Sequence, residues 1–219
     1  MLPPALMAIT FHEVSHGFIA DRLGDKTARY MGRLTLNPLK HLDVIGTIMI
    51  FVAHIGWAKP VPVNFRNLRH PKTDMIWVAA AGPTTNFLLA FLSAFALRGI
   101  LAAGDSIPAY VADPLLLMLI VSVLLNLSLA FFNLIPVLPL DGGRVMVGLL
   151  PADLSVKYSR LEPYGMIIII LLVVLFPGVI SRYLSIPVDK GINILIGDEI
   201  SNSLKHKPGT ANFVKDILP

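Results

Sequence analysis

The sequence predicts an all-α polytopic membrane protein: a bundle of about five membrane helices with a short re-entrant or hairpin segment. Three observations carry this. Of the 219 residues, 55% are hydrophobic and only 15% charged, against about a quarter charged in soluble domains. The apolar residues arrive in blocks close to the roughly 20 residues that cross a bilayer core as a helix. Between the blocks lie stretches rich in proline, glycine and basic residues. A mean hydropathy of +0.71 excludes a disordered chain, which needs low hydrophobicity. There are no cysteines, so a disulfide framework, a thiolate metal site and a cysteine nucleophile are all excluded. The net charge of +4 is read as basic cytoplasmic loops. The expected partner is therefore the lipid bilayer, and no nucleic acid is expected.

The first apolar block, from about Leu2 to Ala20, reaches roughly 28 Å as a helix, one hydrocarbon core. Pro3 and Pro4 suit a helix start. The block has no basic leading stretch and no small-residue cleavage site, so it is not read as a signal peptide. Residues 21–43 are polar and carry Arg22, Lys26, Arg29, Arg33 and Lys40. The next apolar run, about Val44 to Trp57, is short. With Gly46, His54, Gly56 and the proline-rich stretch Lys59 to Asn64, it reads as a re-entrant or hairpin segment buried in protein or lining a wet cavity. Arg66, Arg69 and Lys72 form a second basic loop.

A second full span is expected from about Met75 to Leu97, its small residues Ala79 to Gly82 allowing close helix packing. Residues 98–114 read as a polar connection with Asp105, Asp113 and Arg98. A third span is expected from about Pro114 to Leu138, an interfacial stretch over 145–163 and a fourth span from about Tyr164 to Ile180. A weaker apolar stretch, Tyr183 to Ile196, is interrupted by Pro187, Asp189 and Lys190. The chain thus divides into a membrane domain over residues 1–197 and a polar tail over 198–219, without internal repeats. Loops 21–43 and 59–72 are basic and 98–114 nearly bare of basic residues, so the first two face the cytoplasm. The second span then leaves that side and the third returns. Charge counting alone brings Asp141 to the membrane face that carries His16.

The strongest chemical signal is His12-Glu13-Val14-Ser15-His16. Two histidines four residues apart share one helical face, so both imidazoles can reach one zinc ion, with Glu13 placed as general base on a water at the metal. Ionisable groups inside an apolar block are costly and mark function. The bland alternative is a pair of histidines bonded to backbone or neighbouring helices. A catalytic zinc site needs a third protein ligand and an open position. Candidates are Asp141, His41, Asp43 and His54. Asp141 follows Pro136 and Pro139, which break the preceding helix, and precedes Gly142 and Gly143, which allow close backbone approach. His41 and Asp43 read as loop polars, and His54 as a supporting or structural residue. Asn86 and Asn133 are amides within or at the end of apolar helices. Each needs partners there; an interhelical hydrogen bond is as good a reading as orienting substrate or steadying an oxyanion.

His12 to His16 on a membrane helix resembles the zinc motif of the site-2 proteases, which are intramembrane metalloproteases. The run Asn133 to Gly142, ending in Leu140-Asp141-Gly142, resembles their second signature. Gly82-Pro83-Thr84-Thr85-Asn86 resembles the intervening motif, and Gly56 to Asn64 the segment after the re-entrant piece of compact bacterial members. Order and spacing agree over roughly residues 3–196. The resemblance implies one Zn2+ per chain held by His12, His16 and Asp141, Glu13 as catalytic base, and Asn86 as a residue positioning substrate or stabilising the intermediate. It also implies a plasma-membrane enzyme, active site toward the cytoplasmic face, that cleaves single-span membrane proteins. Family members usually carry a further membrane helix ahead of the zinc-motif helix; here the motif begins at residue 12. No PDZ-like insertion or nucleotide-sensing module is read. The competing expectation is a metal-binding membrane protein without protease activity, such as a divalent-ion carrier. Glu13 argues against it, because a carrier has no need of a carboxylate at that spacing.

Overall fold

A computed structural model of the chain describes residues 2–43, 46 and 59–197. Among them the architecture is helical, with no strand element. The expected re-entrant segment, with His54, falls almost wholly outside the described residues, as does the tail over 198–219.

Helix α1 (Leu2–Leu23) carries the two histidines. It stops in a Schellman motif: Gly24 takes a left-handed φ of 121°, and Asp25 N–H bonds back to the Ala20 carbonyl at 2.9 Å. Such a turn satisfies the last carbonyls and favours glycine. The short α2 (Thr27–Tyr30) follows. Asp25, fully buried, accepts from Thr27, from Asn64 N–H at 2.6 Å and from Asn67 Nδ2 at 3.0 Å, which ties the loop after α1 to residues 64–67.

Helix α3 (Pro71–Ala103) is the axis of the fold. Pro71 pre-sets the first turn, and the Asp74 carboxylate reaches back to accept His70 N–H at 2.8 Å. At 33 residues α3 is about 50 Å long, longer than the hydrocarbon core. After a tight turn comes α4 (Ala109–Asn133). The connection expected over 98–114 is thus mostly helical. Apolarity marks where a helix sits in lipid, not where its hydrogen bonds end. The third helix also stops at Asn133, short of the expected Leu138, because Pro136 has no N–H and disfavours helix in the residue before it. Then come α5 (Asp141–Leu149), α6 (Ala152–Ser159), α7 (Glu162–Leu175) and α8 (Pro177–Ile196). The expected fourth span is broken at Phe176, and α8 runs through Pro187. A single missing N–H forfeits one bond, while Val188 and Ile196 stay buried against α3 and α4.

Two of the described helices, α3 and α4, are long and apolar enough to cross a membrane. The pair α6 and α7, bent by 66°, makes a third if counted as one span. Helix α3 packs against α1, α4 and α5, and α4 against α8. The largest apolar core joins Ala90, Ala94 and Leu97 of α3 to Val123, Leu124 and Leu127 of α4 and to Val188 and Ile196 of α8. Ile167, Ile170, Leu171 and Val174 of α7 are exposed, as lipid-facing residues are.

Candidate metal centre

Three side chains from distant parts of the chain converge: His12 and His16 of α1 and Asp141 at the first position of α5. His12 Nε2 and His16 Nε2 lie 3.1 Å apart. Asp141 Oδ2 is 3.2 Å from the first and 3.3 Å from the second. Tetrahedral zinc with arms of about 2.0–2.1 Å separates its ligand atoms by about 3.3–3.4 Å, so the triangle has the size of one tetrahedral face.

The other ring nitrogens decide the protonation. His16 Nδ1 donates to the Val78 carbonyl at 2.7 Å. His12 Nδ1 donates to Asn86 Oδ1 at 2.5 Å. Both partners are oxygens, so both rings carry their proton on Nδ1 and turn an Nε2 lone pair inward. With neutral imidazoles, two lone pairs and a carboxylate oxygen then face one another. Asp141 Oδ2 is buried and receives no hydrogen bond among the described residues. Three such converging buried groups could hold a metal ion, and two imidazoles plus one carboxylate suit zinc.

Local structure makes room for this. Gly82 of α3 faces the two imidazoles, and a Cβ there would overlap His16 Nε2 and His12. Glycine is what lets α3 approach α1 this closely. Gly142 and Gly143 play the same part for α5. A Cβ on either would strike the backbone of the turn over residues 134–138, which folds back on the start of the helix and fixes where Asp141 emerges. The N-terminus of a helix also favours a carboxylate.

Glu13 is half-buried, and its Oε2 accepts the Val61 backbone N–H at 2.8 Å. The segment bearing Val61 is held by Arg33, which donates to the carbonyls of Lys59 and Pro60 at 2.9 and 3.3 Å. Asn86 is fully buried. Its Oδ1 goes to His12, and its Nδ2 to Asn126 Oδ1 at 2.7 Å and to the Ala8 carbonyl at 3.4 Å. Of the other sequence candidates, His41, Asp43 and Asn133 lie outside the triangle. His41 donates to the Thr35 carbonyl at 2.8 Å, Asp43 accepts Gly46 N–H at 2.8 Å, and Asn133 donates to the Leu129 carbonyl of its own helix at 3.0 Å. Sequence reasoning passed over Asn126 and Arg33. Asn126 gives the same signal as Asn86, an amide inside an apolar helix. Arg33 gives none, because it reads as one more basic loop residue.

The sequence profile of Peptidase family M50 matches residues 99–176, the part that holds Asp141. A relative from Bacillus subtilis named "Putative zinc metalloprotease YwhC" is 42% identical over 169 residues, covering 77% of each chain. The chain belongs to Peptidase family M50. More distant relatives carry the name "Putative zinc metalloprotease Rip2". The one from Mycobacterium tuberculosis strain H37Rv is 29% identical over 73% of this chain and 54% of its own length. That from Mycolicibacterium smegmatis is 26% identical over 77% and 64%. The chain thus matches little more than half the length of the tuberculosis relative. No solved structure matches it.

Proposed function

We propose that the protein is an intramembrane zinc metalloprotease that hydrolyses peptide bonds within or near the membrane segments of other membrane proteins. The observation that carries this is the triangle of His12 Nε2, His16 Nε2 and Asp141 Oδ2, with both Nδ1 protons committed elsewhere. Family membership makes the enzyme class a zinc metalloprotease and sets aside the ion-carrier alternative.

In the mechanism His12, His16 and Asp141 would hold one zinc per chain, which would supply an acidified water and a polarised scissile carbonyl. Glu13 takes the proton of the attacking water and returns it to the leaving amine. The Val61 N–H steadies one oxygen of that base. A substrate helix has its carbonyls locked in hydrogen bonds, so it unwinds locally before attack. Helix-breaking residues near the cut therefore favour cleavage.

Five spans are proposed: α1, α3, α4, the bent α6–α7 pair and α8, with a re-entrant piece around residues 44–57 and a tail from residue 198 outside the membrane domain. The basic loops orient the site toward the cytoplasmic face of a plasma membrane, and the substrate is a single-span membrane protein.

The test is zinc per chain in detergent-purified protein, for the parent, Asp141→Ala and His16→Ala, followed by cleavage of a single-span substrate. One zinc in the parent, lost from both variants, is expected. Glu13→Gln is expected to retain zinc and lose activity by about 10²–10⁴-fold. A folded parent without tightly bound zinc would overturn the site.

A further inference from the structure

The polar chain does not stop at Asn86. Asn126 lies in the C-terminal half of α4, is 1% exposed, and is not one of the three converging residues. Its Nδ2 donates to the Ser122 carbonyl at 2.8 Å and to Ser122 Oγ at 3.2 Å, and that hydroxyl shares a hydrogen bond of 2.8 Å with Ser93 of α3.

The direction of this chain is fixed at its far end. A backbone carbonyl only accepts, so the amine end of Asn126 must face Ser122 and its oxygen must face Asn86. Asn86 must then present Nδ2 to Asn126 and Oδ1 to His12. Turning either amide over would set two N–H groups, or two oxygens, against each other inside a dry bundle. We propose that Asn126 is a positioning residue for the metal centre: acting through Asn86, it holds the His12 ring in the Nδ1–H form with Nε2 turned toward His16 and Asp141. This rests on the zinc reading above. His16, held by a backbone carbonyl, needs no such relay and serves as the internal control.

The test uses the full chain in detergent, labelled with 15N-histidine. In the zinc-free parent, His12 and His16 are both expected as Nδ1–H. Asn126→Leu is expected to mix the tautomers of His12 but not those of His16, and to weaken zinc about 10–100-fold in chelator competition. Asn126→Asp, protonated in this dry setting, accepts from Asn86 and donates to Ser122. It is expected to restore both readouts, which a merely space-filling role would not require. An unprotonated Nδ1 on His12 in the parent, or parental zinc affinity in Asn126→Leu, overturns the proposal. If Asn126→Leu does not fold, the parent's tautomer and Asn126→Asp still decide it. A parent without zinc overturns the metal reading separately, and the tautomers then judge the positioning of His12.

Discussion

Helices α3 and α4 face each other twice along their length, with opposite chemistry. At one end Asn86 meets Asn126, and Gly82 admits two imidazoles. Toward the other end Ala90, Ala94 and Leu97 of α3 meet Val123, Leu124 and Leu127 of α4, and Phe87 and Phe131, edge to face at 5.2 Å, pack against this cluster. The small-residue device is common to both. At Ala90 and Ala94 it brings backbones together so that apolar side chains interlock. At Gly82 it clears space for side chains that must meet a charge. In lipid the apolar contact gains little from leaving a solvent that is itself apolar, and works through packing. The polar contact works through direction, because each donor has one acceptor. The first depends on how shapes fit; the second depends on which group donates and which accepts.

The largest effect is expected from Gly82→Val. The added carbons fall on the imidazoles, so zinc affinity should drop by more than the ~10–100-fold typical of losing a ligand's neighbour. Stability should fall only by what overpacking costs, about 1–3 kcal/mol. Chelator competition and thermal unfolding in detergent separate the two. Unchanged zinc affinity would mean that α3 does not press on the site.

Leu97→Ala probes the opposite end. It opens a cavity among fully buried residues and should cost about 2–5 kcal/mol, with zinc per chain and chelator resistance unaltered. Zinc loss in step with stability would merge the two regions into one unit.

The smallest effect is a pH dependence at the loop knot. Burial pushes the Asp25 carboxyl up, but hydrogen bonds from Thr27, Asn67 and Asn64 outweigh it and leave the pKa below the ordinary 3.8. A carboxylate with a lowered folded pKa contributes stability that is fully present above the unfolded value and lost as pH falls through the folded one. Thermal midpoints of the parent should therefore decline more steeply below pH 3.8 than those of Asp25→Asn. Parallel curves would remove Asp25 from the account.

The three residues of the proposed metal triad were legible in the sequence to unequal depth. His12, Glu13 and His16 announce themselves because a helix turns spacing into geometry over a single turn. Asp141 needed the glycine pair, the prolines before it and the count of basic loops. Asn86 was seen as an amide needing partners, but which partners was not legible: hydrogen bonds from α1 and α4 depend on the rotation of three helices about their axes. Helix ends were misplaced wherever capping, not hydropathy, sets them. Asp74 extends α3 beyond its apolar stretch, and Pro136 closes α4 before its own ends. Pro187, which looks like a break, is carried by the packing of Val188 and Ile196.

The separation of Asp141 from His16 along the chain, 125 residues by their numbers, bears on biosynthesis. At synthesis rates of about 5–20 residues per second, roughly 6–25 s pass between the two. Throughout that interval α1, one of the proposed spans, carries the proposed base and two imidazoles without the proposed third ligand. A hydrolase able to cut membrane segments is thereby born inert. It gains its last ligand only after α3 and α4, the helices that enclose the site, have been made.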